Sequence, residues 1–242
     1  MQKAKEPRAR EPILEVIACS VADAIEAERG GASRLEIISD FARGGLTPSL
    51  EVVRDILQSV SLPARVMLRE SDGYELNDND EIRRLCAFAH ELSTRRVDGV
   101  VLGFLRDREI DLEMTARLLS YAPNLKATFH HAFEEVRDPF EAIRKLKTLE
   151  QVDRILTSGG VGGWTQKIER LGRYQEEARP EISVIAGGGI DRQRINTICG
   201  TTAVREFHVG RAARVPSHAD GVVQAARVRE LVEIIKTSAV KH

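Results

Sequence analysis

Cysteine is scarce in this chain and poorly placed for shared chemistry. Three occur among 242 residues, Cys19, Cys86 and Cys199. They are odd in number, far apart and without Cys-x-x-Cys spacing. That excludes a zinc knuckle or a dithiol redox pair, and it points to a reduced, cytoplasmic compartment. An excess of either charge is also missing: Lys plus Arg number 36 against 37 Asp plus Glu, a formal net charge of -1. A general nucleic-acid binder carries a basic excess or stripe, so no nucleic-acid partner is expected. No apolar run approaches the ~18 residues needed to cross a bilayer, so no membrane partner is expected either. Met1 to Pro12 is polar and holds no apolar segment before a cleavage site. It reads as a disordered tail, residues 1–12, and not as a signal peptide. A last absence is the dinucleotide fingerprint: Ile13 to Gly30 contains no G-x-G-x-x-G, which argues against an open doubly wound sheet.

What the chain does contain is a regular alternation of strand-like and helix-like segments. Strands are expected over Ile13–Cys19, Ser33–Ser39, Ala64–Arg69, Asp98–Phe104, from Leu125 to about His130, and over Asp153–Ser158, Ile182–Ala186 and Val204–His208. Helices are expected over Val21–Arg29 with Ser20 as N-cap, from Thr47-Pro48 to Val60, and over Asp80–Arg95, Asp111–Tyr121, Arg137–Leu149, Thr165–Ala178, Asp191–Cys199 and Asp220–Lys236. Eight such pairs in ~250 residues are the pattern of a single (β/α)8 TIM barrel, here over residues 13–242.

In that fold the active site lies at the carboxyl ends of the strands. Period-two alternation then sorts the polar residues by face. Glu15 is in phase with Ile17 and Cys19, Glu36 with Ile38, Arg69 with Met67, and Glu206 with His208. His130 shares a face with Thr128 and Lys126, while His131 lies on the other face with Phe129. A barrel core is usually Val, Ile and Leu, so charged groups on that face need partners or a chemical task. The task is acid–base catalysis by Glu15, Glu36, Arg69 and His130, of lyase or isomerase type on a small-molecule substrate. The alternative is an ion network in which Arg69 holds Glu15 and Glu36. A second constellation follows the later strands: Ser158, Gly159 and Gly160, then Gly187, Gly188 and Gly189, then His208, Gly210 and Arg211. Glycines there let backbone N–H groups approach a phosphate or other anion. Tight turns alone would also use them.

Several segments together resemble the CutC family, the copper homeostasis proteins: Ala27-Glu-Arg-Gly-Gly-Ala32, Gly44-Gly-Leu-Thr-Pro-Ser49, Thr128-Phe-His130, Arg137-Asp-Pro-Phe-Glu-Ala142, Leu156-Thr-Ser-Gly-Gly160, Ala186-Gly-Gly-Gly189 and Glu206-Phe-His208. The resemblance implies a (β/α)8 barrel, a cytoplasmic homodimer and a link to copper. It also places cysteines, as copper(I) ligands, where this chain has Ile17 and Ile38. Copper(I) is soft and wants thiolate or thioether donors, so the two isoleucines weaken a copper cofactor. Cys19 stands where the family has Asp. Arg69 is kept while a second Arg is lost at Ser71, and Arg43 replaces a Glu before Gly-Gly. In the rival, non-catalytic copper-binding reading, Cys19, His130 and His208 are the candidate metal ligands.

Overall fold

The computed structural model describes residues 11–76 and 78–239. The expected tail 1–12 lies outside the described residues except for Glu11 and Pro12. Eight parallel strands close into one barrel: Ile13–Ala18, Arg34–Ile37, Ala64–Met67, Gly99–Leu102, Lys126–Phe129, Val152–Thr157, Ser183–Ala186 and Glu206–Val209. Each pairs with its neighbours in chain order, and the first pairs with the last through Glu15 opposite His208. Among the described residues no helix is long and apolar enough to cross a membrane.

Alternation along each strand divides the core in two. Leu14, Val16, Leu35, Ile37, Val66, Val100, Phe129, Val184 and Phe207 point outward and join the helices in the main apolar cluster. Inside the barrel a second, small cluster holds Ile17, Ile38, Met67 and Val101. The rest of the interior is polar, and much of it is satisfied by guanidinium groups. Arg34 binds Glu15 and, at 3.3 Å, Glu206. Arg65, on the third strand, binds Asp153 at 2.7 and 2.9 Å, Asp98 at 3.0 Å and Thr128 at 2.8 Å. Arg154 binds Glu206 at 2.6 Å. The network expected around Arg69 therefore exists, but Arg34 is its centre. Arg34 is in phase with Glu36 and enters the barrel at its amino end, close to Glu15. Arg69 leaves the third strand at the opposite end.

Capping sets where the helices begin. Ser20 accepts from the Asp23 N–H, Asp111 from Met114 and Asp138 from Phe140 and Glu141. The second helix starts at Leu50 behind the Ser49 cap, later than Thr47-Pro48, because Thr47 is engaged elsewhere. Its hydroxyl exchanges two bonds with the Arg69 backbone, at 2.8 and 3.0 Å. The eighth helix, Ala225–Ala239, also starts later than expected. Arg214–Val215 and Val222–Val223 first form an antiparallel pair. It is anchored by Arg214 on the buried Asp23 at 2.9 Å.

Candidate active site in the barrel mouth

A cavity of about 270 Å³ opens at the carboxyl ends of the strands. Its floor is Glu36, Met67 and His208, with Ile17 and Leu156 beside them. Its walls are His130, Tyr74 and Arg69 on one side, and Gly188, Gly189, Gly210 and Arg211 on the other. Of the four expected catalytic residues, Glu36, Arg69 and His130 meet in this one space. Glu15 does not line it: fully buried, it stands behind His208 and accepts from Nδ1 at 2.8 Å.

The two glutamates have opposite electrostatics. Burial alone would raise Glu15, but Arg34 and His208 outweigh it and hold its carboxyl well below the usual range. Glu36 has no such partner. Its Oε1 has no hydrogen bond, and its Oε2 is 3.8 Å from His208 Nε2. Burial pushes its carboxyl up to about 7, with Glu15 adding repulsion and His208 and Arg34 only partly offsetting it. Burial opposes charge on His208 as well, yet Glu36 and Glu15 outweigh it and hold the imidazole above its ordinary value. These groups form a line, Arg34–Glu15–His208–Glu36, in which only the last member faces the cavity unpaired.

Arg69 lines the mouth, but it does not hold Glu15 and Glu36 as the network alternative had it. One of its terminal nitrogens donates to the carbonyls of Arg43 and Gly45, at 3.3 and 3.2 Å, and the other to that of Asp72. Its guanidinium lies over the Tyr74 ring, 5.2 Å from the centroid. It braces the loops of the mouth and touches neither Glu15 nor Glu36.

The glycine constellation divides. After the sixth strand the place of an anion is already taken by the chain's own Glu134. That carboxylate accepts from the Ser158 N–H at 2.6 Å, from the Thr157 and Ser158 hydroxyls at 3.2 and 3.1 Å, and meets His131 Nδ1 at 2.8 Å. Lys167 adds a bond to the Ser158 hydroxyl at 3.1 Å, and Thr157 accepts from the Gly159 N–H. Ser158, Gly159 and Gly160 are therefore turn residues around Glu134. Gly187 closes onto the sixth strand, donating to the Thr157 carbonyl at 3.0 Å. Gly188 and Gly189 remain, both exposed, at φ 71° and 89°, with backbone N–H groups that have no partner among the described residues. Arg211, exposed on the next loop, faces the same cavity. Glu134, Arg34 and Tyr74 were not singled out from the sequence, and only Arg34 carried a usable signal, its phase with Glu36. His131, expected on the face opposite His130, lines the same cavity as His130.

A family model described as the CutC family matches residues 12–213. The chain belongs to the CutC family. It is 37% identical over 197 residues to the copper homeostasis protein cutC homolog of Homo sapiens, covering 81% of this chain and 72% of that one. A family protein CutC of Photobacterium profundum is 30% identical over 206 residues, covering 85% and 84%. The crystal structure of a CutC copper homeostasis protein from Streptococcus agalactiae superposes with TM-score 0.76 at 27% identity, covering 82% of this chain and 98% of that one.

The CutC name raises copper, and the residues present do not fit copper(I). Ile17 and Ile38 fill the inner wall with hydrocarbon. Cys19 packs against that wall, but burial pushes its thiol up to about 11, so it is not a ready thiolate. Its sulfur sits 3.8 Å from Arg214. Among the described residues, Met67 is the one thioether lining the mouth. Among the described residues, the ligand-type atoms that converge within 4.8 Å belong to Glu15, Glu36 and His208, and the group includes neither Cys19 nor His130. Both Glu15 oxygens are already engaged, by Arg34 and His208. One carboxylate and one imidazole nitrogen remain, too few for a closed metal site.

Proposed function

We propose that this CutC-family barrel is an enzyme of lyase or isomerase type, moving protons on a small anionic or sugar-like molecule held in the mouth. One observation carries the reading: Glu36 is buried against the cavity with an oxygen that no described residue satisfies. Among the described residues, the guanidinium groups deeper in the barrel are matched to other acids, so none of them pairs with Glu36. Leaving a carboxylate so placed costs stability, and proteins keep that cost where a group must take up and release protons near neutral pH. His208, oriented by Glu15, stands beside it to share the proton. Gly188, Gly189 and Arg211 would receive the anionic end of the substrate. Family resemblance supports a cytoplasmic homodimer.

The experiment is a thermal-stability titration with inorganic phosphate and phosphate monoesters on wild type, Gly188→Ala and Arg211→Ala. A ligand that binds only the folded chain raises the melting point by mass action. The expected result is a rise in wild type that is reduced in both variants. If no anion raises it, or if the rise is unchanged in both variants, the anionic-substrate reading fails. The second reading, a non-catalytic copper binder, is favoured only by the names of the relatives and by Met67 and Cys19 near one wall.

A further inference from the structure

The protonation state of His130 follows from its neighbours. It ends the fifth strand and caps the short turn His131–Glu135, where the Ala132 N–H reaches its Nδ1 at 3.2 Å. A backbone N–H can only donate, so Nδ1 is an acceptor without a proton. The ring is also uncharged: burial, then the positive fields of Arg69 and His131, bring its pKa down to about 3. A neutral imidazole with bare Nδ1 carries its proton on Nε2. That Nε2 is buried and has no hydrogen-bond partner. The ring is held in place by Tyr74, 5.2 Å away centroid to centroid, and by Phe129 at 6.2 Å. Gly103 makes room for it, since a Cβ there would come within 2.5 Å of Nδ1.

Among the described residues, the cavity lining therefore presents two buried donors without an acceptor, His130 Nε2–H and Arg69 Nε–H, and one buried acceptor without a donor, Glu36 Oε1. The Arg69 guanidinium is already braced by three backbone carbonyls, which leaves His130 and Glu36 as the two groups a ligand has to answer. Each is costly to leave unmet, because burial removes the water that would otherwise pair with it. A neutral imidazole is far too weak an acid to give its Nε2 proton away, so His130 polarises an oxygen and does not transfer a proton. A ligand that answers both groups has an oxygen on which negative charge develops and, next to it, a proton to lose. The cavity, about 270 Å³, lies just below the ~300–1,000 Å³ of common ligand sites, so that ligand is small.

We propose that the substrate is a small phosphorylated or carboxylated carbonyl compound that is enolised in the mouth, with its carbonyl oxygen on His130 Nε2–H and its adjacent C–H on Glu36. The inference rests on the acid–base reading above and adds the substrate class and the role of His130. In the step, the C–H bond breaks and its proton passes to the Glu36 carboxylate. The electron pair forms a carbon–carbon double bond, and the carbonyl π pair moves onto oxygen, where the enolate accepts from Nε2–H. Return of the proton to the same carbon restores the substrate. Where the carbon that lost the proton carries a hydroxyl, that hydroxyl's proton passes to the former carbonyl oxygen and Glu36 returns the carbon-bound proton to the former carbonyl carbon, so that the carbonyl group moves by one carbon. No oxidant or cofactor enters.

The test uses the full-length protein and two probes, dihydroxyacetone phosphate and the enediolate mimic 2-phosphoglycolate. Nitrogen-15 spectra of the wild-type histidines should show His130 as the Nε2–H tautomer, with no titration near 6.5. In D2O, wild type should exchange a carbon-bound proton of dihydroxyacetone phosphate for deuterium. Loss of one oxyanion donor costs ~10²–10³-fold in rate, so His130→Leu should fall by that factor. His130→Gln, which keeps an N–H donor, should recover part of it, and Glu36→Gln should abolish exchange. Melting shifts with 2-phosphoglycolate should persist in His130→Gln. An Nδ1–H tautomer or an ordinary titration of His130 overturns the proposal, even if His130→Leu fails to fold. So does exchange that survives Glu36→Gln. If both probes raise the melting point of wild type but no deuterium enters, the enolisation inference falls and the anionic-substrate reading stands. If neither probe raises it and no deuterium enters, both fall.

Discussion

Glu36 and Glu15 sit on adjacent strands and face the same imidazole, yet they depart from their ordinary values in opposite directions. The difference lies in which of them Arg34 reaches. Arg34 enters at the amino end of the second strand and pairs across to Glu15, whose Cα partner it is, leaving Glu36 one layer higher without a guanidinium partner. This has a testable sign. Glu36 is raised to about 7 from 4.5, so between these values the folded chain holds a proton that the unfolded chain has released. Its stabilising contribution is complete below about 4.5 and is lost as pH rises through about 7, by up to ~3 kcal/mol at ~1.4 kcal/mol per unit. His208, raised by Glu36 and Glu15, acts in the same direction, while Glu15, lowered by Arg34 and His208, contributes above about 4.5 and loses that contribution as pH falls. Glu36→Gln should therefore gain stability relative to wild type between pH 4.5 and pH 8, measured as paired denaturant midpoints. A difference that stays flat across that range would show that Glu36 is not held protonated by its surroundings. Period-two phase made Glu36, His130 and His208 readable as inward residues. It could not tell depth along the barrel axis, and depth decides that Arg34 and not Arg69 reaches Glu15.

Strands and most helices were readable because each carries a period and a cap. The misses lie in segments with neither. The hairpin Leu105–Arg106 with Glu109–Ile110 turns through Asp107 and Arg108 at φ 52° and 61°. That conformation usually announces itself by Asn-Gly or Asp-Gly, and Asp-Arg gives no such signal. The turn His131–Glu135 is too short to show a period, so the reach of Glu134 to the loop after the sixth strand was invisible. That contact joins two elements and lends itself to a prediction. Glu134→Ala leaves the buried Ser158 N–H without its acceptor, which costs ~1–3 kcal/mol. In a chain of this size that is about 2–4 °C of melting temperature per kcal/mol. The same change empties an anion-shaped place beside Lys167 and His131, so added phosphate should stabilise the variant more than it stabilises wild type. Thermal scans at several phosphate concentrations check both parts. An unchanged melting point, or equal phosphate gains, would mean that Glu134 does not hold this turn.

At the scale of the molecule, the fold and the family name point in different directions. The barrel matches CutC relatives over most of its length, and relatives bear a copper homeostasis name. The interior holds guanidiniums paired with carboxylates at depth, an acid with an unpartnered oxygen and a neutral imidazole at the mouth, and hydrocarbon at Ile17 and Ile38, a set that suits the proposed proton chemistry better than soft-metal binding. Soft copper(I) needs thiolates or thioethers, and affinity falls steeply when the available donors are carboxylate and imidazole. The nearby thiol, Cys19, would first have to lose a proton that burial holds up to about 11, and its sulfur faces Arg214. The chain should therefore lose copper(I) to a competing chelator at concentrations that leave a thiolate site loaded. The titration is run under reducing, oxygen-free conditions on wild type, Cys19→Ser and the double variant Ile17→Cys, Ile38→Cys. Wild type and Cys19→Ser should be equally weak, and the double variant should bind more tightly because it restores two soft donors to one wall. Tight, stoichiometric binding in wild type that disappears in Cys19→Ser would give Cys19 the metal role and return the molecule to copper. Weak binding in all three would still leave wild type unsuited to copper, and would show that Ile17 and Ile38 are not the positions that decide it.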